Sequence, residues 1–244
     1  HNVPSLGYSP DMYFRDSCWI VVAGYDRELN EGIYEKWAIT QNDDGCIRTI
    51  LTPYVGDQEH SPNESTMLFI IWSYVNKKRF SSNIKTEVVQ RAVDYCRTTF
   101  DPDRTGSLRA PTPAWMDVIW PEGKFQFAVM QGIYANALRC AWALGCDVTE
   151  DEVRAAAAAY QSLYDPELGY VAFADRAYEF YDAISPSSLM GEFLSLWLWD
   201  EPILSDEAVI GTLERLPEYD GCVPCICAAD GSFFDLRTSP FTPE

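Results

Sequence analysis

Apolar positions along the chain fall into two alternating patterns. In Ser17–Tyr25 (SCWIVVAGY), Ser65–Val75 (STMLFIIWSYV), Phe127–Leu144 and Ser188–Trp199 (SLMGEFLSLWLW), apolar residues cover most of a helical circumference. Helices of that kind are buried on nearly every side. Between them lie segments with one apolar stripe. Glu31–Thr40 has Ile33 and Trp37, and Ile84–Cys96 has Ile84, Val88, Ala92 and Cys96. Thr149–Leu163 has Val153, Tyr160 and Leu163, and Ser205–Leu216 has Val209, Ile210, Leu213 and Leu216. Start signals support these bounds: Thr149 with Glu152 and Ser61 with Glu64 match capping boxes, the latter with Pro62 at the first helical position. Ser185-Pro186 and Ser205-Asp206-Glu207 are further N-terminal signals.

The connections are asymmetric. Inner-to-outer links are short (Asp26–Asn30, Phe80–Asn83, Gly145–Val148, Asp200–Leu204), whereas the return links Gln41–Ser61, Phe100–Gln126 and Tyr164–Ile184 are long. Buried helix, short turn, outer helix and long loop is the rhythm of stacked αα-hairpins curling into a toroid. The expected fold is therefore all-α, a single domain over residues 1–244 built as a toroid of helical hairpins. About six hairpins close such a ring, and this sequence supplies four, so an incomplete ring is expected. Missing C-terminal hairpins or an oligomer would have to cover the apolar surface left open. The long loops gather at the N-termini of the inner helices, where a rigid scaffold presents function.

Charge narrows the partners. The net charge is −19, from 37 acidic and 18 basic residues, a field that repels nucleic acid and anionic membrane but tolerates a neutral carbohydrate. No apolar run reaches the roughly 18 residues of a membrane span. Cys18, Cys96, Cys140 and Cys146 sit in or beside apolar helical patterns, as buried free thiols do. That usage reads as a reduced, cytoplasmic chain. Cys222, Cys225 and Cys227 form the denser CVPCIC, but the two histidines are far off in sequence, so no metal site is expected and no cofactor is implied.

Four stretches carry a resemblance: YFRDSCW (Tyr13–Trp19), AWMD (Ala114–Asp117), QGIYANALR (Gln131–Arg139) and the YDPELGY…SPSSLMGEFLSL block. Together they resemble the six-hairpin (α/α)6 glycoside hydrolases, most closely the amylo-α-1,6-glucosidase domain of glycogen-debranching enzymes and their bacterial relatives. The likeness runs from about Tyr13 to Leu216. It departs from the family pattern at Ala114, where a Thr is usual, and at Val129, which stands where the family carries a Glu. The resemblance implies an exo-acting hydrolase of α-linked oligosaccharides working by an inverting acid/base mechanism. Asp117 would be the general acid, and the general base is expected beyond Glu244. The alternative is a non-catalytic carbohydrate-binding or structural fragment that lacks the second carboxylate.

Local chemistry fits the assignment of Asp117: Trp115, Met116, Val118, Ile119 and Trp120 would desolvate the carboxyl and raise its pKa. The plainer reading is a turn-capping aspartate. Trp115 and Trp120 are candidate platforms for pyranose rings, or core tryptophans. Arg15 and Asp16 are candidates for binding sugar hydroxyls, with Trp19 as a stacking face, or else a pair that holds a helix entrance. Glu64 is a binding candidate whose competing role is the cap with Ser61. Asp175 is another, or a solvated loop charge.

Overall fold

The computed structural model describes residues 12–23, 26–51, 64–114, 121–218 and 220–232. Among these the chain is all-α. Its helices are α1 (Phe14–Ala23), α2 (Arg27–Ile39), α3 (Ser65–Phe80), α4 (Thr86–Phe100), α5 (Ala128–Ala143), α6 (Glu150–Gln161), α7 (Met190–Trp199) and α8 (Asp206–Arg215). Two antiparallel ladders of two-residue strands accompany them, β1 (Met12–Tyr13) with β2 (Ile50–Leu51) and β3 (Tyr164–Asp165) with β4 (Tyr170–Val171).

All eight expected helices form, and where their ends differ the reason is local. Helix α2 begins four residues early because Asp26 caps it, accepting from the Leu29 amide at 2.9 Å. Helix α3 runs five residues past Val75. Its last turn carries Lys77, Lys78 and Arg79, cations that suit the negative end of the helix dipole, before Ser81 turns left-handed at φ 55°. Ser185 and Ser205 cap as expected: Ser185 opens a 3-10 turn (Pro186–Leu189) leading into α7, and Ser205 accepts from the Ala208 amide that starts α8. Ser61 lies outside the described residues.

The chain divides into two compact units, one of residues 1–103 and 137–150, the other of residues 104–136 and 151–244. In the first unit α1 packs on α2 and α3, and α3 on α4. Their core is aromatic: Phe14 meets Trp37 edge-on at 5.0 Å, and Tyr34 stacks on Phe69 at 5.1 Å. Two buried polar contacts cross this core: the Trp72 indole donates to Asn30 Oδ1 at 2.8 Å, and the Asn30 amide donates to Asn76.

The second unit is organised by the close crossing of α5 and α7. A Cβ on Gly132 would stand only 2.6 Å from the Gly191 Cα and 3.2 Å from the Tyr160 ring. The Asn136 amide bridges the crossing by donating to the carbonyls of both Gly132 and Gly191, at 2.9 and 2.8 Å. The Tyr160 hydroxyl donates to the Ser188 carbonyl at 2.5 Å. One turn back, the fully buried Gln131 donates to the carbonyls of Gly106 and Ala156 and accepts from the Leu108 amide. Loop residue Gly106 lies so close to the alanine run that an added Cβ would stand 2.5 Å from Ala155. The QGIYAN and SSLMG sequences are thus a helix-crossing device.

Three sequence expectations are corrected. Helix α3 is buried on nearly all sides, but α7 leaves Phe193, Leu196 and Trp197 exposed, and Ile20 of α1 is also exposed. On α4 the buried face is shifted by one position, to Val89, Val93, Cys96 and Phe100 with Ala92. On α8, Ile210 and Leu213 face solvent while Ala208 and Thr212 are buried. Small residues win there because α8 lies directly on the β3–β4 hairpin. Thr212 Oγ1 accepts from the Val171 amide at 2.9 Å, and Gly211 leaves no room for a side chain against the Gly169 carbonyl.

Gly132→Ala should destabilise the chain by about 1–3 kcal/mol, because neither the Gly191 backbone nor the buried Tyr160 ring can give way. Trp197→Ser on the exposed face should change stability by less than about 0.5 kcal/mol. Urea unfolding followed by circular dichroism measures both. Equal losses would mean that the α5–α7 crossing is not close-packed.

Candidate functional site

In the first unit the site begins with a carboxylate taken fully out of water. Glu64 immediately precedes α3, with its side chain 0% exposed, and Arg15 Nη1 reaches its Oε1 at 2.7 Å. Glu64, which the sequence pattern pairs with Ser61 in a cap, is bound by Arg15 of α1, while Ser61 lies outside the described residues. Burial in a low-dielectric interior makes this contact obligatory, since a lone buried charge costs several kcal/mol. Two features hold Arg15 in place. Met12 and Tyr13 pair with Leu51 and Ile50, and the Phe14 amide donates to the Thr49 carbonyl at 2.8 Å. The start of α1 is thus pinned before the guanidinium departs. Trp19 stands one turn after Arg15 on the same side of α1, half-buried, as is Asp16. Arg15 and Glu64 are brought together, and the tryptophan adds an apolar face on Arg15's side of the helix.

In the second unit the loop that carries the AWMD sequence is closed at its base. Ala110 and Phe125 exchange two backbone hydrogen bonds, each 2.9 Å. Thr112, Pro113 and Ala114 then run inward as buried residues. Ala114 is fully buried with φ 57°, in the left-handed region, where a β-branched residue is strongly strained. This accounts for the departure from Thr at that position. Trp115, Asp117 and Trp120 lie outside the described residues. Val129, at the position of the family's Glu, is 1% exposed in the first turn of α5.

Asp175 anchors the neighbouring loop. Its amide donates to the Gln126 carbonyl at 3.0 Å, and its carboxylate is 17% exposed. Arg109 Nη2 approaches it to 2.9 Å, a charge contact outside hydrogen-bond geometry. Asp175 is therefore a largely buried, charge-paired group. It lines a cleft of about 450 Å³ with Gln126, Tyr164, Asp165, Arg176 and Tyr181. Arg176, which packs over the Tyr181 ring, binds Asp165 at 2.7 Å and Glu167 at 2.8 Å. Burial pushes the Asp165 carboxyl up, but the Arg176 bond and the Glu167 amide outweigh it and hold the group below the ordinary range. Sequence reading missed Arg109, Asp165 and Arg176, whose signal is only the charge alternation through DPE and ADR. No group of three or more His, Cys, Asp or Glu among the described residues is placed to hold a metal ion. No described helix is long and apolar enough to cross a membrane.

No protein-family model matches the chain, and no curated protein matches it. Solved structures do. An uncharacterized conserved protein from Thermus thermophilus matches at 14% identity with a TM-score of 0.59, over 79% of this chain and 67% of its own. A GH63 mannosylglycerate hydrolase from the same organism, in complex with glucose, matches at 13% identity and 0.58, over 79% and 69%. The same enzyme in complex with Tris matches at 14% and 0.57, over 79% and 68%. The chain therefore has a glycoside hydrolase-like, helix-rich fold. These neighbours are not debranching domains, and the likeness to the amylo-α-1,6-glucosidase domain rests on the sequence motifs alone.

Arg15→Ala should cost about 3 kcal/mol in a urea denaturation, because it removes the cation bound to a fully buried carboxylate. A loss under about 1 kcal/mol would show that Glu64 does not depend on this partner. Ala114→Thr should cost about 1–3 kcal/mol, whereas Ala114→Gly should be neutral or stabilising. A tolerated Thr would remove the steric account of that position.

Proposed function

We propose that the chain is a glycoside hydrolase, exo-acting on α-linked oligosaccharides by an inverting acid/base mechanism, and built on the α/α-toroid plan of helical hairpins. Asp117 serves as general acid. Arg15, Asp16, Trp19, Glu64, Trp115, Trp120 and Asp175 bind the substrate. The observation that carries this reading is the buried Arg15–Glu64 pair at the starts of α1 and α3, two apolar helices of the inner type. A guanidinium fixed at 2.7 Å by a buried carboxylate presents its N–H groups to sugar hydroxyls in a set direction. Trp19 supplies the apolar surface that a pyranose ring packs against.

Inversion requires a second carboxylate roughly 6.5–9.5 Å from the acid, activating water on the opposite face of the sugar. The field of a chain with net charge −19 suits a neutral substrate better than an anionic one. The eight cysteines stand as thiols outside any disulfide, in keeping with a cytoplasmic location. Val129 favours a second reading: with an apolar residue buried where the family carries a carboxylate, the chain would bind saccharide without cleaving it.

Hydrolysis of a panel of α-glucosides and α-mannosides by the wild type, Asp117→Asn and Glu64→Gln separates these readings. The enzyme reading expects Asp117→Asn to lower kcat by about 10²–10⁴-fold with KM little changed. It expects Glu64→Gln to raise KM. Full activity in Asp117→Asn removes the general acid. Saturable saccharide binding without turnover in the wild type, lost in Glu64→Gln, establishes the binding protein instead.

A further inference from the structure

Surface thiol chemistry among the described residues is confined to one short segment. Cys18, Cys46, Cys96, Cys140, Cys146 and Cys227 are buried. Burial pushes their thiols up, that of Cys146 to about 11, so they hold little reactive thiolate. Cys222 and Cys225 carry exposed thiols that no disulfide joins, three positions apart in CVPC with Pro224 between them.

The segment that carries them is a strap fixed on both sides. Asp220 at φ 50° and Gly221 at φ 79° are both left-handed and turn the chain directly before Cys222. On the other side the Cys225 carbonyl accepts from Ser185 Oγ at 2.7 Å. Cys227 and Ile184 exchange two backbone hydrogen bonds of 2.9 and 3.0 Å. Ser185 is itself the cap of the 3-10 turn leading into α7. The two exposed thiols are thereby held on one anchored segment beside the cap of the turn into α7, with at most about 11 Å between their Cα atoms.

We propose that Cys222 and Cys225 form a thiol–disulfide exchange site that takes small-molecule disulfides and closes to an intramolecular Cys222–Cys225 bond. One thiolate attacks a sulfur of a disulfide RSSR, expels RS⁻ and forms a mixed disulfide. The second thiolate attacks the protein sulfur of that mixed disulfide and expels the other RS⁻. The two protons leave with the two RS⁻ groups as RSH, so the dithiol is oxidised by two electrons and RSSR is reduced. Ring closure within four residues has a small entropic cost, and Pro224 restricts the segment further, so the second step outruns reaction with another RSSR. The buried thiols do not compete. This site is independent of the glycosidase reading.

The test uses the folded 244-residue chain and oxidised glutathione as probe, with product masses and proteolytic maps read after alkylation. The expected product is lighter than the reduced chain by two hydrogens, cross-linked between Cys222 and Cys225. Cys222→Ser and Cys225→Ser, both at exposed positions and each confirmed folded by an unchanged Tm, should instead stop at a single glutathione adduct. In the reduced wild type, iodoacetamide should modify two thiols at least about tenfold faster than the other six. A wild-type chain that stays reduced, carries two glutathiones, links as a dimer or cross-links through any other cysteine overturns the proposal.

Discussion

Two glycines without side chains, Gly132 and Gly191, set the geometry on which the second unit depends. Their backbones meet where α5 crosses α7, and the Tyr160 ring closes the remaining space. Once the helices are this close, their exposed carbonyls need donors, and Asn136 supplies both from one amide. Gln131, on the preceding turn, does the same for Gly106 and Ala156. The buried polar groups are therefore not ornaments on an apolar core. They are the donors that backbone contact at this distance demands.

The first unit depends on a different constraint. Placing Glu64 beyond reach of water requires a cation at a defined position, and only a helix start fixed by its own ladder can deliver it. A guanidinium and a carboxylate held by packing in this way keep fixed directions.

Much of this fold was legible in the sequence, since helix formation follows apolar periodicity and capping, and both are local. Ser185 and Ser205 mark starts that the structure keeps. Burial was less legible, because hydrophobicity ranks side chains by transfer energy while contact at backbone distance selects them by size. Thus Ala208 and Thr212 are inside α8 and Leu213 is outside. The partner of Glu64 lies 49 residues away along the chain, and no local pattern chooses between a cap and such a distant cation. At the candidate site the motifs pointed to the loops, but RD, AWMD and NAL are silent on what Arg109 and Arg176 bind. The Arg109–Asp175 contact depends on how the 104–126 and 164–184 segments lie together, and the Arg176 pairs on how the second of these folds back on itself.

The backbone pair between Ala110 and Phe125 also has a bearing on change over evolutionary time. A loop closed by main-chain bonds at its base transmits little of its own sequence into the helices it joins. Of the residues beyond that pair, Thr112, Pro113 and Ala114 are buried, so they remain under selection for packing as well. A scaffold of this kind can acquire new specificities by local replacement, while the glycine crossing beneath it stays under strict steric selection.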